Sequence, residues 1–362
     1  MSNKLNVTIV APNLSGQGGT ETVINHVLNS SKLNSKIEFS LFTPDYVQNQ
    51  SWLRSIAPSL KKLTLAKNNR LQNLLQKFFF YASSSADVLL ILGVRSILIA
   101  YVMRFFFQRH YKIVSWIHFT MVGTSFSKPK LLKYADAHFA ISSGIKKQLI
   151  SAGIDEHKIY LIYNPIQHVD QVVRRSKTDE VRFVYVGRID YIGQKNLKFM
   201  LDGLAQLKFA WQMDFFGDGK DLALCKMYAK ELKLDDKIVW QGWVADPWAQ
   251  MNAVDALLLT SNYEGLPMVI LEALQRGIPV VTSDCATGPE DEVVNGKNGY
   301  LFTQNNVQDF TKKLTILRNR LDSFEDVDKI MRTTDKFSSQ EYDNHFVMAL
   351  TEIFGQSNQG IR

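Results

Sequence analysis

This sequence predicts an α/β protein of two doubly wound, parallel-sheet (Rossmann-like) domains facing across a cleft. Three observations predict it. Short, wholly apolar segments alternate with helical ones, the pattern of a parallel sheet covered on both faces. The alternation stops at a polar stretch, Asn164–Glu180, and then restarts. The charge changes sign there as well: residues 1–165 hold 19 Lys and Arg against 7 Asp and Glu, leaving 23 against 28 in residues 166–362. The expected boundaries are 1–165 for the first domain, 166–340 for the second and 341–362 for a terminal helix. Tyr342, Phe346, Leu350 and Phe354 give that helix an amphipathic pattern suited to capping the second domain or crossing back to the first.

Leu5–Ala11 reads as the first strand, followed by a loop containing Gly16, Gly18 and Gly19 and a helix over Thr20–Leu28. Ile37–Phe42, Ala86–Leu92, Ile113–Ile117, Ala137–Ile141 and Ile159–Ile162 read as further strands, with helices at Ser96–Phe107 and Ser143–Ser151. Asn164–Glu180, rich in Gln, Arg and Lys, reads as the linker. The second run has strands at Val181–Val186, Gln212–Phe216, Lys237–Gln241, Ala256–Leu259 and Pro279–Thr282. Helices fall between them at Leu197–Leu207, Leu222–Leu232, Trp248–Met251 and Val269–Arg276. Strands that end in glycine-rich or polar loops put ligand sites at the carboxyl edge of such sheets.

Composition removes several classes. Hydrophobic residues make up 46% and charged residues 21%, a globular balance. Two cysteines, Cys225 and Cys285, make no disulfide scaffold or zinc site and read as reduced thiols. The longest apolar runs fall well short of a membrane span, and no segment reads as a secretory leader. The expected location is therefore cytoplasmic. The basic first domain suits an anionic partner. Lys61, Lys62, Lys67, Arg70 and Lys77 alternate with Leu and Phe before Phe78–Tyr81, and Arg104 and Arg109 flank three phenylalanines. That surface suits an anionic membrane, peripherally on the inner face, although core aromatics beside solvated lysines would look the same.

Four charged residues stand at strand ends of the second domain. Glu264 follows the strand Ala256–Leu259, and Glu272 lies further on in the helix that Pro267 begins. Amides around Leu266, Met268 and Val269 would be helix-start donors without intrahelical partners. Carboxylates for sugar and ribose hydroxyls beside amides for phosphate suit a sugar nucleotide, although an isolated Glu272 would more often be an ordinary solvated helix residue. Arg188 and Lys195 follow the strand Val181–Val186 and supply fixed positive charge for a departing diphosphate without a metal. In the first domain, Gly18 and Gly19 resemble part of a phosphate cradle, and His118 ends the strand Ile113–Ile117. The only Asp-x-Asp, Asp326-Val327-Asp328, lies in a polar stretch and reads as a solvated helix surface, so no metal is expected.

The segment Glu264-Gly265-Leu266-Pro267-Met268-Val269-Ile270-Leu271-Glu272, with Gly187-Arg188, Lys195, Gly217-Asp218-Gly219 and Gly18-Gly19-Thr20-Glu21, resembles the retaining glycosyltransferases of family 4 with the GT-B fold. Ser115-Trp116-Ile117-His118-Phe119, Tyr163-Asn164-Pro165 and Ser283-Asp284-Cys285 are similar to the lipopolysaccharide core 1,6-galactosyltransferases. The resemblance implies transfer of a hexose (Gal, Glc or GlcNAc) from a UDP-sugar to a hydroxyl of a cell-surface glycan, glycolipid or glycoprotein, with retention and no cofactor. It implies that Glu264 holds the donor sugar, Glu272 the ribose, and Arg188 and Lys195 the diphosphate. It also implies that His118 contacts the sugar and that Gly18, Gly19, Gly217 and Gly242 line the donor. A nucleic-acid partner would leave the strand-end carboxylates unexplained. A non-catalytic partner subunit on the same fold would be expected to lose one of the four charged residues.

Overall fold

The computed structural model describes residues 4–355, apart from 13, 16–17, 46, 48, 68, 122–128, 177 and 325. Gly16, in the glycine loop, and Lys177, in the polar stretch, lie outside the described residues. The chain divides into two compact units, Met1–Pro165 with Ser339–Arg362, and Ile166–Ser338.

The first unit runs β1 (Leu5–Val10), α1 (Gly19–Asn29), α2 (Ser31–Lys36), β2 (Ile37–Thr43), α3 (Gln50–Ile56), β3 (Lys62–Leu65), α4 (Arg70–Ser83), β4 (Val88–Ile91), α5 (Val94–Phe106), β5 (Lys112–Ile117), β6 (Ala137–Ala140), α6 (Ser143–Ser151) and β7 (Ile159–Leu161). Its seven strands are ordered β3-β2-β1-β4-β5-β6-β7, all parallel. β4 and the C-terminal half of β1 are wholly buried, and Phe39, Phe42, Trp116 and Phe139 fill the space beside the sheet. Polar residues start the helices: the Ser142 hydroxyl accepts from the Ile145 amide at 3.2 Å, satisfying a donor that α6 leaves open.

The second unit runs β8 (Val181–Val186), α7 (Leu197–Leu204), β9 (Trp211–Phe216), α8 (Leu222–Glu231), β10 (Ile238–Gly242), β11 (Ala256–Leu259), α9 (Met268–Leu274), β12 (Val280–Ser283), α10 (Pro289–Glu292), β13 (Gly299–Phe302), α11 (Val307–Asn319) and α12 (Val327–Arg332). The order is β10-β9-β8-β11-β12-β13, again all parallel. The chain builds outward from β8 to β10, then crosses back to lay β11 on the other side of β8. That reversal makes a crevice at the carboxyl ends of β8 and β11. Cys225 and Cys285 are both unpaired and buried here.

The final helix, α13 (Ser339–Gly355), belongs to the first unit. Its Asp343 carboxylate takes His26 Nε2 at 2.9 Å and the Ser30 hydroxyl at 2.5 Å. Phe346 sits 5.5 Å from Phe139 and 6.1 Å from Trp116, ring centre to ring centre.

Two expectations need correction. Most of the polar stretch expected as a linker is part of the second unit. The Gln171 side chain donates to Trp248 O at 2.8 Å, the Val173 amide to Arg276 O at 3.0 Å and the Ser176 amide to an Asp255 carboxylate oxygen at 3.0 Å. Backbone bonds and one buried valine anchor it, so composition alone reads as loose chain. The elements α2, α3, β3, α4, α10, β13, α11 and α12 were not anticipated. β3 is a partly exposed edge strand, and β13 spans four residues. Both are too short for periodicity to register.

Replacing Asp343 by Ala leaves His26 without its carboxylate and frees α13 at one point. We expect the unfolding free energy of the full chain to fall by about 1–3 kcal/mol, read by denaturant titration, with far-ultraviolet dichroism unchanged.

Candidate active site

Two loops build the centre of the second unit's site. The first, Gly187–Asn196, follows β8, and the second, Thr260–Pro267, follows β11. Because β8 and β11 are neighbours, the loops leave the sheet side by side. Asp190 shapes the first loop, its carboxylate accepting the amides of Gly193 at 2.9 Å and Gln194 at 2.7 Å. Asn196 then takes a left-handed backbone (φ 49°), turning the chain into α7.

The second loop laces onto the first. The Asn262 amide donates to Gln194 O at 2.7 Å, and its side chain to Gly193 O at 2.6 Å. The Thr260 hydroxyl donates to Lys195 O at 3.1 Å. With both backbones held, Lys195 Nζ lies 2.6 Å from Glu264 Oε1. The pair is nearly shut from water, with side-chain exposures of 14% and 7%. Gln194 Nε2 reaches the other Glu264 oxygen at 3.3 Å, and its Oε1 accepts from Arg188 Nη2 at 3.0 Å. Arg188 is 61% exposed, so most of its fork of donors faces solvent. Arg188, Lys195 and Glu264 therefore stand in one hydrogen-bonded chain.

Glu272 stands in a different cluster. One carboxylate oxygen accepts Trp248 Nε1 at 3.1 Å. The Arg276 guanidinium donates to Glu272 O at 2.9 Å and lies 4.9 Å from the Trp248 ring centre. Burial raises the Glu272 carboxyl above its ordinary pKa, and the Trp248 bond opposes that rise. Glu264 and Glu272 thus share no partner, although the sequence placed both at one strand end. Leu266 precedes α9, while Met268 and Val269 are its first residues. Pro267 caps the helix from outside rather than opening it.

Gly217 and Gly242 close the other side of the β8 loop. The Gly217 amide donates to Gly242 O at 2.7 Å, and a Cβ on Gly217 would stand 1.9 Å from Gly187 O. Gly219 would meet Ile189 O at 2.1 Å in the same way. Only glycine permits this backbone-to-backbone approach.

In the first unit, the Gly18 amide donates to the Glu21 carboxylate at 3.1 Å, and Ser15 donates to its other oxygen at 2.9 Å. That bond removes the Gly18 amide from the donors a phosphate could use, weakening the cradle reading. Gly19 opens α1. His118 follows β5. Its Nε2 is buried with no hydrogen-bond partner, and its ring stands edge-on to Trp116 at 4.6 Å. Burial pushes its pKa down to about 3, so the ring is neutral at physiological pH. The nearby buried His138, bonded to the Ser115 hydroxyl at 2.7 Å, is lowered to about 4.

Sequence reasoning missed Asp190, Gln194, Asn262 and Trp248. It also missed Glu292, whose two carboxylate oxygens are buried without a hydrogen-bond partner and whose pKa is raised well above the ordinary value by desolvation and then by Glu264. Asp190 did leave a trace, as an Asp three residues before a glycine is a turn signal. Asp326, in the only Asp-x-Asp, caps α12 by accepting the Lys329 amide at 3.2 Å.

The family model for glycosyl transferases group 1 matches residues 168–352. A lipopolysaccharide 1,6-galactosyltransferase from Salmonella typhimurium is 35% identical over 322 residues, covering 86% of this chain and 89% of that protein. The protein of the same name from Escherichia coli K12 is 33% identical over 348 residues, covering 93% and 96%. The apo form of the lipopolysaccharide outer core galactosyltransferase WaaB superposes with a TM-score of 0.84 at 33% identity, covering 96% of this chain and 99% of that one. Anabaena HepE in complex with UDP-glucose, at 18% identity and a TM-score of 0.74, shares the fold.

Two outcomes follow from this geometry. Gly217→Ala should displace the Gly187 carbonyl and lower the thermal unfolding midpoint by several degrees, roughly the effect of 1–3 kcal/mol of overpacking. As the pH falls below 6.5 the unfolded chain takes up protons on both rings, while in the folded chain His138 does so only as the pH nears about 4 and His118 only near about 3. Stability should therefore be flat above pH 6.5 from these groups and fall on acidification, with a slope of up to about 1.4 kcal/mol per pH unit for each. His138→Asn should reduce that slope in denaturant titrations run across the window.

Proposed function

Since the chain belongs to the glycosyl transferases group 1 family and has the GT-B fold, we propose that it is a retaining, family 4 hexosyltransferase. On this reading it moves a hexose from a UDP-sugar to a hydroxyl of a cell-surface glycan, glycolipid or glycoprotein. The names of the two relatives favour galactose and a lipopolysaccharide acceptor, and the name of the WaaB structure favours its outer core. The observation that carries the reading is the buried Lys195–Glu264 pair at the β8/β11 crevice, tied through Gln194 to the exposed Arg188.

Before donor arrives, Glu264 holds Lys195 in place. An ammonium has three donors, and Glu264 uses one, leaving two for diphosphate oxygens. Arg188 offers its guanidinium fork to the same group. Glu264 Oε2, held by the longer Gln194 bond at 3.3 Å, accepts from a donor-sugar hydroxyl. The Glu272 oxygen not bonded to Trp248 accepts from the ribose, whose hydroxyls favour the charged form against the cost of burial. Amides at Met268 and Val269, beside Leu266, face the phosphate, and Gly217 and Gly242 let the nucleotide approach backbone.

In the chemical step the bond from the anomeric carbon to the diphosphate oxygen breaks, and a bond to the acceptor oxygen forms on the same face. The acceptor proton passes to the departing diphosphate. Stabilising that leaving group is the main task, and two fixed cations perform it. With those cations present, no metal is proposed. The enzyme works in the cytoplasm, peripherally on the inner membrane face. Among the described residues no helix is long and apolar enough to cross a membrane.

The test is a donor screen with UDP- and GDP-sugars, read as release of free nucleotide diphosphate with a lipopolysaccharide core acceptor. UDP release should survive EDTA. Lys195→Ala and Glu272→Ala should each cut it by at least about a hundredfold while dichroism stays native. Full activity in both variants would overturn the mechanism. Absence of turnover with every donor would point to a non-catalytic subunit.

A further inference from the structure

Trp248 and Glu272 meet from separate elements of the second unit. Glu272 is the fifth residue of α9, and Arg276 stands four residues on, just past the helix. Trp248 opens the single turn Trp248–Gln250 between β10 and β11 and is 4% exposed. An indole carries one polar atom, and that atom can only donate. Here it donates to Glu272 Oε2 at 3.1 Å. A glutamate side chain turns about three bonds, so tethering one oxygen confines where the other can point.

A three-residue turn is a weak anchor for such a tether. Its brace is the stretch 171–174, whose composition suggests loose chain. Gln171 Nε2 donates to Trp248 O at 2.8 Å, and the Val173 amide to Arg276 O at 3.0 Å. The Val254 amide donates to Arg174 O at 3.0 Å, and Val173 is buried. One stretch therefore holds the backbones of both residues that flank Glu272. Arg276 closes the cluster. Its guanidinium lies 4.9 Å from the Trp248 ring centre and donates to Glu272 O at 2.9 Å, a carbonyl in the last turn of α9.

The surroundings of Glu272 disfavour its charge. Burial has the largest influence and raises its pKa, the Trp248 bond and the Arg276 charge act against the rise, and Asp246 adds to it. Trp248 works through a directed bond to the carboxylate, Arg276 and Asp246 through their charges. A ribose hydroxyl donates best to an ionised carboxylate.

We propose that Trp248 is a positioning residue for nucleotide binding: its indole N–H holds Glu272 so that Oε1 faces the ribose, and Gln171 holds Trp248. This deepens the reading of Glu272 as the ribose acceptor and rests on it. Trp248 touches no reacting atom in this role. It acts on affinity, through the direction and the ionisation of one carboxylate.

The experiment is calorimetric titration of the full chain with UDP-galactose, without acceptor, from about pH 8 down to about pH 5. The esterified diphosphate of this probe keeps its charge over that range, so a loss of affinity on acidification reports the protein. Wild type should bind more weakly as Glu272 takes up a proton. Glu272→Gln should bind weakly throughout and show no acid loss. Trp248→Phe keeps an aromatic ring beside Arg276 and removes the donor. It should move the acid loss up by about one pH unit and weaken binding about tenfold within that window, the size expected for a hydrogen bond to a charged group. Gln171→Leu should shift the acid loss in the same direction by less. Lost packing alone would lower the thermal midpoint and leave the acid loss in place. If Trp248→Phe does not fold, Gln171→Leu decides by the same shift. An unmoved acid loss in whichever of these two variants fold, with Glu272→Gln flat, would overturn the positioning role and leave the ribose reading standing. An acid loss in Glu272→Gln equal to that of wild type, or no binding by wild type, would overturn both.

Discussion

The second unit's site depends on the lacing between two loops that are distant in sequence. Asn262 and Thr260, at the end of β11, hold the backbone of Gly193, Gln194 and Lys195 after β8. Without those bonds Lys195 would be a flexible surface cation with about 2 kcal/mol of rotamer entropy to lose. With them its charge is set against Glu264 before any ligand arrives. A transition state that develops negative charge gains most from charges already in position, because none of its stabilisation is spent on reorganisation. The glycines at 217 and 219 serve the same end from the other side by letting the backbone that follows β9 close on the β8 loop at two points.

Burial gives the site a second character. Lys195 and Glu264 compensate one another, while Glu272 and Glu292 sit in surroundings that penalise their charge. A buried carboxylate lacking a full set of partners is stable mainly when protonated or when a ligand completes its shell. Glu272 has Trp248 and a nearby Arg276 to make the charged state accessible. Glu292 has a weaker counter-charge in Lys336 and the adverse field of Glu264. Both carboxyls are raised by burial, and the difference between them is that Glu272 accepts a hydrogen bond from Trp248 that opposes the rise, whereas both Glu292 oxygens are buried without a partner.

Much of the architecture was legible in the amino-acid order, for a definite reason. Strands buried on both faces, such as Val88–Ile91 and Ala256–Leu259, must be short apolar runs, and such runs stand out. Lys62–Leu65 lies at a sheet edge with polar positions, and α4 turns its apolar side outward, so neither displays the pattern its structure would suggest. Arg188, Lys195 and Glu264 were legible as strand-end residues and stand in one hydrogen-bonded chain, whereas Glu272, read at the same strand end, stands with Trp248 and Arg276. Gln194 and Asn262 were not legible, because their roles depend on β8 lying next to β11. Strand adjacency is a property of the sheet that local spacing does not encode. The polar stretch after residue 165 misled for a related reason: hydrogen bonds to Trp248, Asp255 and Arg276 anchor it, and composition cannot register partners some 75 to 105 positions away.

Both thiols are sealed in the second unit's interior, and burial pushes Cys225 and Cys285 up to about 12, far from the ionised form that reacts. The native chain is therefore close to chemically silent toward maleimides. A single cysteine introduced on an exposed helix could carry a fluorophore or spin label with both natural cysteines left in place.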